Sequence, residues 1–255
     1  MLRARLIPCL LVKDGALVKT IGFDQPTYVG DPLNTVKIFN EKMVDELIVA
    51  DIGATASRQE PDFSMIQSLA AQCRMPLCYA GGVNTIGHVE RIISLGVEKV
   101  ALGNAANVTP DLVNEAAKRL GSQSVVAVLD VKKSATGKGF DVYTHNGKKH
   151  TGRNAVSFAK EMESKGAGEL LINSIDNDGA MTGYDYVLIN EIYSAVNLPM
   201  TVLGGAANIS NCAELFRKFG IIGAAAGSIF VFKGKFKAVL IQYPTVDEKL
   251  ELFKK

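Results

Sequence analysis

Four apolar segments of this 255-residue chain end in glycine-rich pairs that could bind anions. The pairs are Gly81-Gly82, Gly103-Asn104, Gly204-Gly205 and Gly227-Ser228, and a helical pattern follows each of them. Glycine lets the backbone come close to an anion, and the first amides of the following helix then point toward it. The pattern predicts two phosphate pockets, although the glycines could instead serve only as tight turns.

These pairs belong to an internal repeat. The segment Pro76-Leu-Cys-Tyr-Ala-Gly-Gly82 returns 123 positions later as Pro199-Met-Thr-Val-Leu-Gly-Gly205. Gly96 and Gly220 match at a spacing of 124, and Asp51 and Asp176 match at 125. Matches at about half the chain length indicate two related halves, about 1–120 and 121–255.

The repeat also aligns two equivalent positions, one in each half, at which an acid–base residue could lie. Leu11-Val-Lys13 in the first half aligns with Asp130-Val-Lys132 in the second. A positioned carboxyl group is a candidate general acid or base, and leucine can do neither. Asp130 is therefore the candidate catalytic residue. The alternative interpretation is that Asp130 caps a helix or is a buried, hydrogen-bonded carboxylate.

Alternating strands and helices must position these residues. Eight apolar runs have the near-continuous hydrophobicity of parallel strands covered on both faces: Leu6–Val12, Glu46–Ile52, Met75–Tyr79, Lys99–Gly103, Val125–Val131, Glu169–Ser174, Pro199–Leu203 and Gly223–Gly227. Between them, Asp31-Pro32 and Thr109-Pro110 are helix-start signals, and an apolar stripe closed by Gly96 indicates another helix. Eight alternations in this length indicate a single α/β domain that spans residues 1–255. We predict a (β/α)8 TIM barrel made of two half-barrels.

Composition excludes several classes of protein. Apolar residues make up 47% of the chain and charged residues 21%, and the net charge of +2 does not favour nucleic acid or an anionic membrane. The apolar run from Ile221 to Phe232 is too short to span a bilayer. The four cysteines form no CxxC pair, and no signal peptide precedes the first strand, so we expect a cytoplasmic protein with reduced thiols. The histidines lack matching ligand spacing, so we expect neither a metal nor a cofactor.

Several motifs resemble the cyclase subunit of imidazole glycerol phosphate synthase over essentially the whole chain. The motifs are Ile7-Pro-Cys-Leu10, Val12-Lys-Asp-Gly15, Gly121-Ser-Gln123, Ser174-Ile-Asp-Asn-Asp-Gly179 and Gly204-Gly-Ala206, with a hairpin over Phe140–Thr151 on an Asn146-Gly147 turn. The resemblance implies a TIM barrel that takes ammonia from a glutaminase and cyclises a bisphosphorylated ribulosyl intermediate. It also implies one catalytic aspartate at the end of strand 1 and another at the end of strand 5.

The residues at the catalytic face depart from the family pattern. By resemblance, Asp130 is the strand 5 aspartate, and Leu11 occupies the position of the strand 1 aspartate. Ala80, Gly103, Asn173 and Leu203 also differ from the residues that the family usually has there. Lys19 and Phe23 in the first loop, which is mobile in the family, still match it. So does Asp178, and we assign Lys19, Asp51 and Asp178 to this active face.

The opposite end of the barrel keeps the family pattern. Arg5, Glu46, Lys99 and Glu169 begin strands 1, 2, 4 and 6, and they correspond to the family's salt-bridged ring around the ammonia entrance. Strand parity places Arg5 and Leu11 on one face. The alternative is four solvated charges. Glu98 and Gln123 at the same end resemble positions that the family uses against its glutaminase.

Three functional hypotheses follow. The first is a conduit subunit that delivers ammonia to an amidotransfer other than histidine synthesis; resemblance to divergent cyclase-like chains paired with a glutaminase implies an acetamido sugar as acceptor, modified by a third, ATP-using enzyme of bacterial surface-polysaccharide (lipopolysaccharide) synthesis. The cluster Lys233-Gly-Lys-Phe-Lys237 could contact that partner or a nucleotide-sugar, or could be a solvated basic face. The second is a working or weakened cyclase of histidine biosynthesis. The third is a stand-alone barrel enzyme that acts on another phosphorylated sugar.

Overall fold

Eight parallel strands close into a barrel in the computed structural model, which describes residues 3–252. Their hydrogen-bonded order is β1, β4, β5, β6, β7, β10, β11 and β12, and β12 pairs with β1 to complete the circle. The bounds of these strands are β1 Arg5–Lys13, β4 Leu47–Asp51, β5 Leu77–Ala80, β6 Lys99–Leu102, β7 Val125–Lys133, β10 Glu169–Ser174, β11 Met200–Leu203 and β12 Gly223–Ala226. The predicted (β/α)8 fold is therefore confirmed. Its origin in two half-barrels stays a prediction.

Ten α-helices are assigned among the described residues, and most of them follow a barrel strand and cover the outside. They are α1 Pro32–Glu41, α2 Phe63–Gln72, α3 Ile86–Ser94, α4 Asn104–Val108, α5 Asp111–Leu120, α6 Ala155–Ser164, α7 Tyr186–Tyr193, α8 Ile209–Phe219, α9 Ser228–Val231 and α10 Val246–Leu252. Within residues 3–252, no helix is both long enough and apolar enough to cross a membrane.

The two predicted helix starts have different outcomes. The Asp31 carboxylate accepts a hydrogen bond from the Asn34 amide at 2.8 Å and caps α1, as the sequence predicts. The Thr109 prediction is wrong, because α5 begins at Asp111 and no side chain caps it. Thr109 instead ends the short helix α4, where its own amide donates to the Ala105 carbonyl.

Three features outside the barrel cover its carboxyl-terminal mouth or its flank. The predicted hairpin forms as β8 Phe140–Thr144 and β9 Lys149–Asn154, with residues of positive φ in the connecting turn. The first loop is itself a hairpin, β2 Ala16–Ile21 and β3 Asp24–Gly30. A third small hairpin, β13 Phe232–Lys233 and β14 Ala238–Val239, carries the exposed Lys233–Lys237 segment.

Side-chain alternation along the strands divides the core into two parts. The larger apolar cluster lies between the strands and the helices. A second cluster fills the inside of the barrel with the buried residues Ile7, Cys9, Ile48, Cys78, Ala101, Val126, Leu171, Leu203 and Ala225. Leu11 packs against this inner cluster, so it points into the barrel as the parity of β1 predicts.

The start of β10 depends on a glycine whose backbone touches the preceding connection. A Cβ atom added to Gly168 would lie 2.0 Å from the Ser122 carbonyl oxygen. We expect Gly168→Ala to lower the free energy of unfolding by about 1–3 kcal/mol, because backbone must move to admit the methyl group. Gly30→Ala is the control, since an added Cβ there meets nothing within 4 Å. Equal urea midpoints for the two variants would contradict this prediction.

Candidate functional site

The carboxyl-terminal mouth of the barrel encloses a cavity of about 160 Å³ to which residues from all eight barrel strands contribute. Its lining includes the predicted active-face residues Leu11, Lys19, Asp51, Asp130 and Asp178. It also includes the predicted phosphate-binding residues Gly81, Gly103, Asn104, Gly204, Gly205, Gly227 and Ser228. Gly82 lines a second cavity beside it. The sequence thus selected residues that the fold brings to one mouth.

The turns after β5 and β11 have closely similar backbone geometry. Gly81 and Gly204 have φ of 124° and 96°, and an added Cβ atom would lie 2.5 and 2.6 Å from a carbonyl oxygen of the neighbouring strand end. These oxygens belong to Asp51 and Ser174. L-residues rarely adopt such φ values, so glycine is required at both turns on backbone grounds alone. The glycines therefore have a structural role whether or not they also bind phosphate.

The other two predicted anion sites lie at the starts of short helices. Gly103 precedes α4 and Gly227 precedes α9, and neither helix has a side-chain cap. Uncapped first amides are available to an anion. A cation lies near each position, because Arg58 lines the second cavity with Gly103, and the Lys19 side chain runs along Gly227. The sequence did not identify Arg58, since it lies in an irregular loop without a motif.

Lys19 and Asp178 form a buried ion pair that ties the β2–β3 hairpin to the loop after β10. Lys19 Nζ lies 2.8 Å from Asp178 Oδ1, and the Thr20 hydroxyl donates to Asp178 Oδ2 at 2.7 Å. The Phe23 amide donates to the same carboxylate. Gly179 makes close packing possible, since an added Cβ would lie 2.3 Å from the Thr20 carbonyl oxygen. In this conformation the first loop is fastened across one side of the mouth.

The β8–β9 hairpin covers another part of the mouth. The Asn146 side-chain amide donates to the Ile52 carbonyl at 2.9 Å, which joins the hairpin turn to the end of β4. Thr144, His145 and Asn146 all line the cavity. The sequence predicted this turn from Asn146-Gly147 but did not indicate that its side chains take part in the site. Only the folded arrangement brings residues 94 positions apart together.

Asp130 projects into the apolar side of this cavity. Asp130, Asn173 and Leu203 are neighbours in register across β7, β10 and β11. The carboxylate accepts a hydrogen bond from Asn173 Nδ2 at 3.0 Å. Burial raises the pKa of Asp130 to about 7, the charge of Asp178 adds to this effect, and the Asn173 hydrogen bond opposes it. A carboxyl group of this pKa can gain or lose a proton at neutral pH, as a general acid or base must.

A closed ring of ion pairs lies at the amino-terminal end of the barrel. Arg5 contacts Glu46 and lies 2.7 Å from Glu169. Lys99 Nζ is 2.9 Å from Glu46 and 2.8 Å from Glu169. The two glutamates are only 4% and 7% exposed. Burying charges is costly unless they are paired, and here each glutamate contacts both cations.

Thr201 is a fifth member of this ring that sequence reasoning missed. Its hydroxyl donates to Glu169 Oε1 at 2.5 Å. The positive charges of Arg5 and Lys99 and their hydrogen bonds outweigh burial and lower the pKa of Glu169 to about 2. Strand parity could have indicated Thr201, because it precedes the inward-facing Leu203 by two residues. Glu169 is therefore ionised at neutral pH, and the ring is held by side chains at the starts of five barrel strands.

The two residues assigned to a docking surface lie at this same end and are exposed. Glu98 Oε2 accepts a hydrogen bond from the Leu77 amide at 2.7 Å, and Gln123 Nε2 donates to the Leu120 carbonyl at 3.4 Å. Both side chains therefore also hold the local backbone at strand starts. Among residues 3–252, no group of three or more histidine, cysteine, aspartate or glutamate side chains is arranged to hold a metal ion.

The raised pKa of Asp130 predicts a pH-dependent cost in stability. Its folded-state pKa of about 7 lies above the ordinary 3.8, so the folded protein binds more protons than the unfolded chain between these values. Asp130 therefore destabilises the protein increasingly as the pH rises through this window. We expect the stability of Asp130→Asn relative to the wild type to increase from about pH 4 to about pH 7 and to level off above about pH 8. Urea unfolding across this range measures the difference, and a gap independent of pH would contradict the prediction.

Comparisons with known proteins identify the family. The family model described as "Histidine biosynthesis protein" matches residues 5–237. The chain is 49% identical over 249 residues to the "Putative imidazole glycerol phosphate synthase subunit hisF3" of Vibrio vulnificus, covering 98% of this chain and 96% of that protein. A "Putative imidazole glycerol phosphate synthase subunit HisF" of Leptospira borgpetersenii is 48% identical over 253 residues, which is 99% of this chain and 100% of the relative.

A further relative is named as an imidazole glycerol phosphate synthase subunit without the word "Putative". The "Imidazole glycerol phosphate synthase subunit HisF" of Lactococcus lactis subsp. cremoris is 39% identical over 230 residues, covering 90% of this chain and 89% of that protein. The family model and the extent of these alignments agree with the barrel and with the resemblance found in the sequence motifs. The chain belongs to the histidine biosynthesis protein family and is a divergent HisF-like member of it, related to the cyclase subunit of imidazole glycerol phosphate synthase.

Proposed function

We propose that this HisF-like chain receives ammonia from a glutaminase subunit and conducts it through the barrel to an amidotransfer reaction other than cyclisation of the histidine intermediate. The observation that carries the proposal is the contrast between the two ends of one barrel. The amino-terminal end has a complete ring of buried charges, whereas at the mouth the side chain that projects inward from β1 opposite Asp130 is Leu11, which has no acid–base group.

The amino-terminal ring supports an inlet for a small polar molecule. Four charged side chains meet on the barrel axis, where an ordinary barrel has apolar packing. Because pairing of buried ions rarely stabilises a protein more than apolar side chains would, a ring of this kind suggests a function. Exposed Glu98 and Gln123 beside it are the docking residues that we assign to the glutaminase.

The inner cluster above the ring favours passage of a neutral molecule over an ion. Its side chains are apolar or thiols, and its smallest members, Ala101 and Ala225, are on nearly opposite sides of the barrel. Burial raises the pKa of the Cys9 thiol to about 12, so this side chain is neutral. Neutral ammonia pays far less to enter such surroundings than ammonium, glutamate or phosphate does.

The mouth lacks the second acid–base group that cyclisation of the histidine intermediate would use. Division of proton donation and removal between two carboxyl groups needs a partner for Asp130, and Leu11 supplies none. This argues against cyclisation at this mouth but does not identify the acceptor. The resemblance to divergent cyclase-like chains that accompany a glutaminase in acetamidino-sugar synthesis suggests one, and on that basis we assign the final transfer to a third, ATP-using enzyme acting on an acetamido sugar of surface polysaccharides. The exposed β13–β14 hairpin, with Lys233, Lys235 and Lys237, is the surface that we assign to that partner.

A second candidate is the cyclase reaction of histidine biosynthesis. It is favoured by Asp130, whose pKa suits acid–base work, and by glycine turns that could still hold a bisphosphate substrate. The relatives named as imidazole glycerol phosphate synthase subunits agree with this candidate. Loss of one of two positioned acid–base groups typically lowers a reaction rate by about 10²–10⁴. For this reason we place the cyclase reaction second.

The inlet hypothesis predicts a difference between two nitrogen sources. In a reaction that contains the glutaminase, the ATP-using acceptor enzyme and its acetamido sugar, Lys99→Met should lower glutamine-supported transfer by about tenfold or more. The rate of transfer supported by added ammonium should stay within about twofold of the wild-type rate, because external ammonia can enter at the mouth. Both rates are measured as amidinated product by mass spectrometry. Lys160→Met, on an exposed part of α6, is the control and should change neither rate.

Equal losses with both nitrogen sources would contradict a role of the ring in ammonia entry. A wild-type complex that turns over the bisphosphorylated histidine intermediate at rates typical of a dedicated cyclase would contradict the proposed acceptor. Rescue of a histidine auxotroph by the wild-type gene would also contradict the proposed acceptor.

The missing carboxylate predicts a gain of activity. We expect Leu11→Asp to raise cyclisation of the histidine intermediate, with ammonium as nitrogen source, by about tenfold or more, because a second acid–base group then faces Asp130. Leu11→Asn is the matched control, since it adds polarity without a group that titrates near neutral pH. Purified variants are compared by product absorbance. No increase in Leu11→Asp, with folding unchanged by circular dichroism, would contradict the interpretation of position 11.

A further inference from the structure

Asn173 has a half-satisfied side chain at the point where the barrel interior meets the mouth. It is the inward-facing residue near the end of β10 and is only 8% exposed. Its Nδ2 donates to Asp130 at 3.0 Å, but its Oδ1 is buried without a hydrogen-bond donor from the part of the chain that the structure describes. Buried carbonyl oxygens in native proteins are nearly always paired, so this exception calls for an explanation.

The orientation of the Asn173 amide is fixed by its neighbour. An amide rotated by 180° would place Oδ1 against the Asp130 carboxylate, which repels it whenever Asp130 is ionised. Asp130 therefore selects the orientation in which Oδ1 is free to accept. Leu11, Leu171 and Leu203 line the same cavity and offer no donor. No described side chain donates to this oxygen, so its donor is left to a small molecule in the cavity.

The charges around this oxygen define the ligand. The acidic and basic side chains that line the cavity are Lys19, Asp51, Asp130, His145 and Asp178, and His145 Nδ1 lies 3.1 Å from the Thr144 hydroxyl. Lys19 is already paired with Asp178, and Asp51 accepts hydrogen bonds from the amides of Gly53 and Ala54 at the end of β4. Within residues 3–252, no cationic side chain pairs with ionised Asp130, which lies beside an acceptor that needs a donor. A small cation that carries N–H groups satisfies both.

We propose that Asp130 and Asn173 form an ammonium-binding site at the outlet of the barrel interior. This inference rests on the proposed ammonia conduit and adds to it a defined end point. Ammonium has tetrahedral N–H donors, so it can donate to the Asp130 carboxylate and to Asn173 Oδ1 together. Sodium, potassium and other hard cations require a larger set of oxygen ligands, which the leucine walls do not provide.

A proton transfer connects the conduit to this site. Neutral ammonia that reaches the mouth accepts the proton of a neutral Asp130 carboxyl group, which yields ammonium and carboxylate. The reverse transfer restores the carboxyl group and releases ammonia toward the mouth. Because the pKa of Asp130 is raised to about 7, both protonation states are available at neutral pH. No other reactant is needed.

The test is a titration of the purified chain with ammonium chloride, followed by NMR with the aspartate side chains labelled at ¹³Cγ. Total salt is held constant with sodium chloride at pH 7. We expect a saturable shift of the Asp130 resonance, assigned with Asp130→Asn. Asn173→Leu should weaken the apparent affinity by about tenfold or more, since both amide groups are lost. Asn107→Leu is the matched control, because Asn107 also has a buried, unpartnered Oδ1 but does not line the cavity.

Asn173→Thr is the second variant in case Asn173→Leu does not fold. Its hydroxyl can donate to Asp130 and accept from ammonium, but both bonds must be made by one oxygen on a shorter side chain, so its affinity should lie between those of the wild type and Asn173→Leu. The proposal would be overturned if the Asp130 resonance shifted equally with ammonium and with sodium. It would also be overturned if the wild type, Asn173→Leu and Asn173→Thr bound ammonium with equal affinity.

The two proposals fail separately. The titration uses this chain alone, so ammonium binding that depends on Asn173 supports the site even if no glutaminase couples to the barrel. Conversely, glutamine-dependent transfer in the complex without ammonium binding at Asp130 would reject this site and leave the conduit intact.

Discussion

Closure of eight parallel strands into one barrel is the constraint on which the other features of this molecule depend. Alternate residues of each strand must point inward, and there is no sheet edge at which an unsuitable side chain could escape. On β1, this rule sends Arg5, Ile7, Cys9 and Leu11 to the interior in succession. A single strand thus passes from the charged end through the apolar centre to the mouth.

The charged end is a compromise between desolvation and pairing. Removing Glu46 and Glu169 from water costs free energy, and each regains part of that cost from Arg5 and Lys99. The hydroxyl of Thr201 adds a further hydrogen bond to Glu169. Gly223 makes room for that threonine, since an added Cβ would lie 2.1 Å from its Oγ1. The ring therefore depends on a small residue as much as on the four charges.

The mouth has a polar half and an apolar half, and that division sets its chemistry. Lys19 and Asp178 neutralise one another on one side and fasten the first hairpin. Asp130 is buried beside leucines, which raises its pKa toward neutrality, and among the described residues its side-chain hydrogen-bond partner is the Asn173 amide. A carboxyl group with a charged partner would have lost this property. Leu11 thus does more than remove a second acid: it leaves the remaining one poorly solvated.

The sequence by itself determined the barrel, its strand order along the chain, the glycine turns and the set of residues at each end. These features depend on local patterns: apolar runs, capping residues, strand parity and an internal repeat. The prediction that Thr109 caps α5 failed because the inserted helix α4 used that residue as its end. Arg58, Asn146 and Thr201 carried no such local signal, and they join the site or the ring only through contacts made by folding.

Only the tertiary structure decided which side chains share hydrogen bonds and which are left without partners. Sequence spacing places Asp130 and Asn173 at two strand ends, but it cannot state that β7 and β10 are neighbours in register or that one amide atom is unpaired. Parity alone cannot state whether four charges are solvated or closed into a ring. Periodicity reports which way a side chain points, whereas pairing and desolvation depend on distances between segments far apart in the chain, and these are fixed only when the barrel closes.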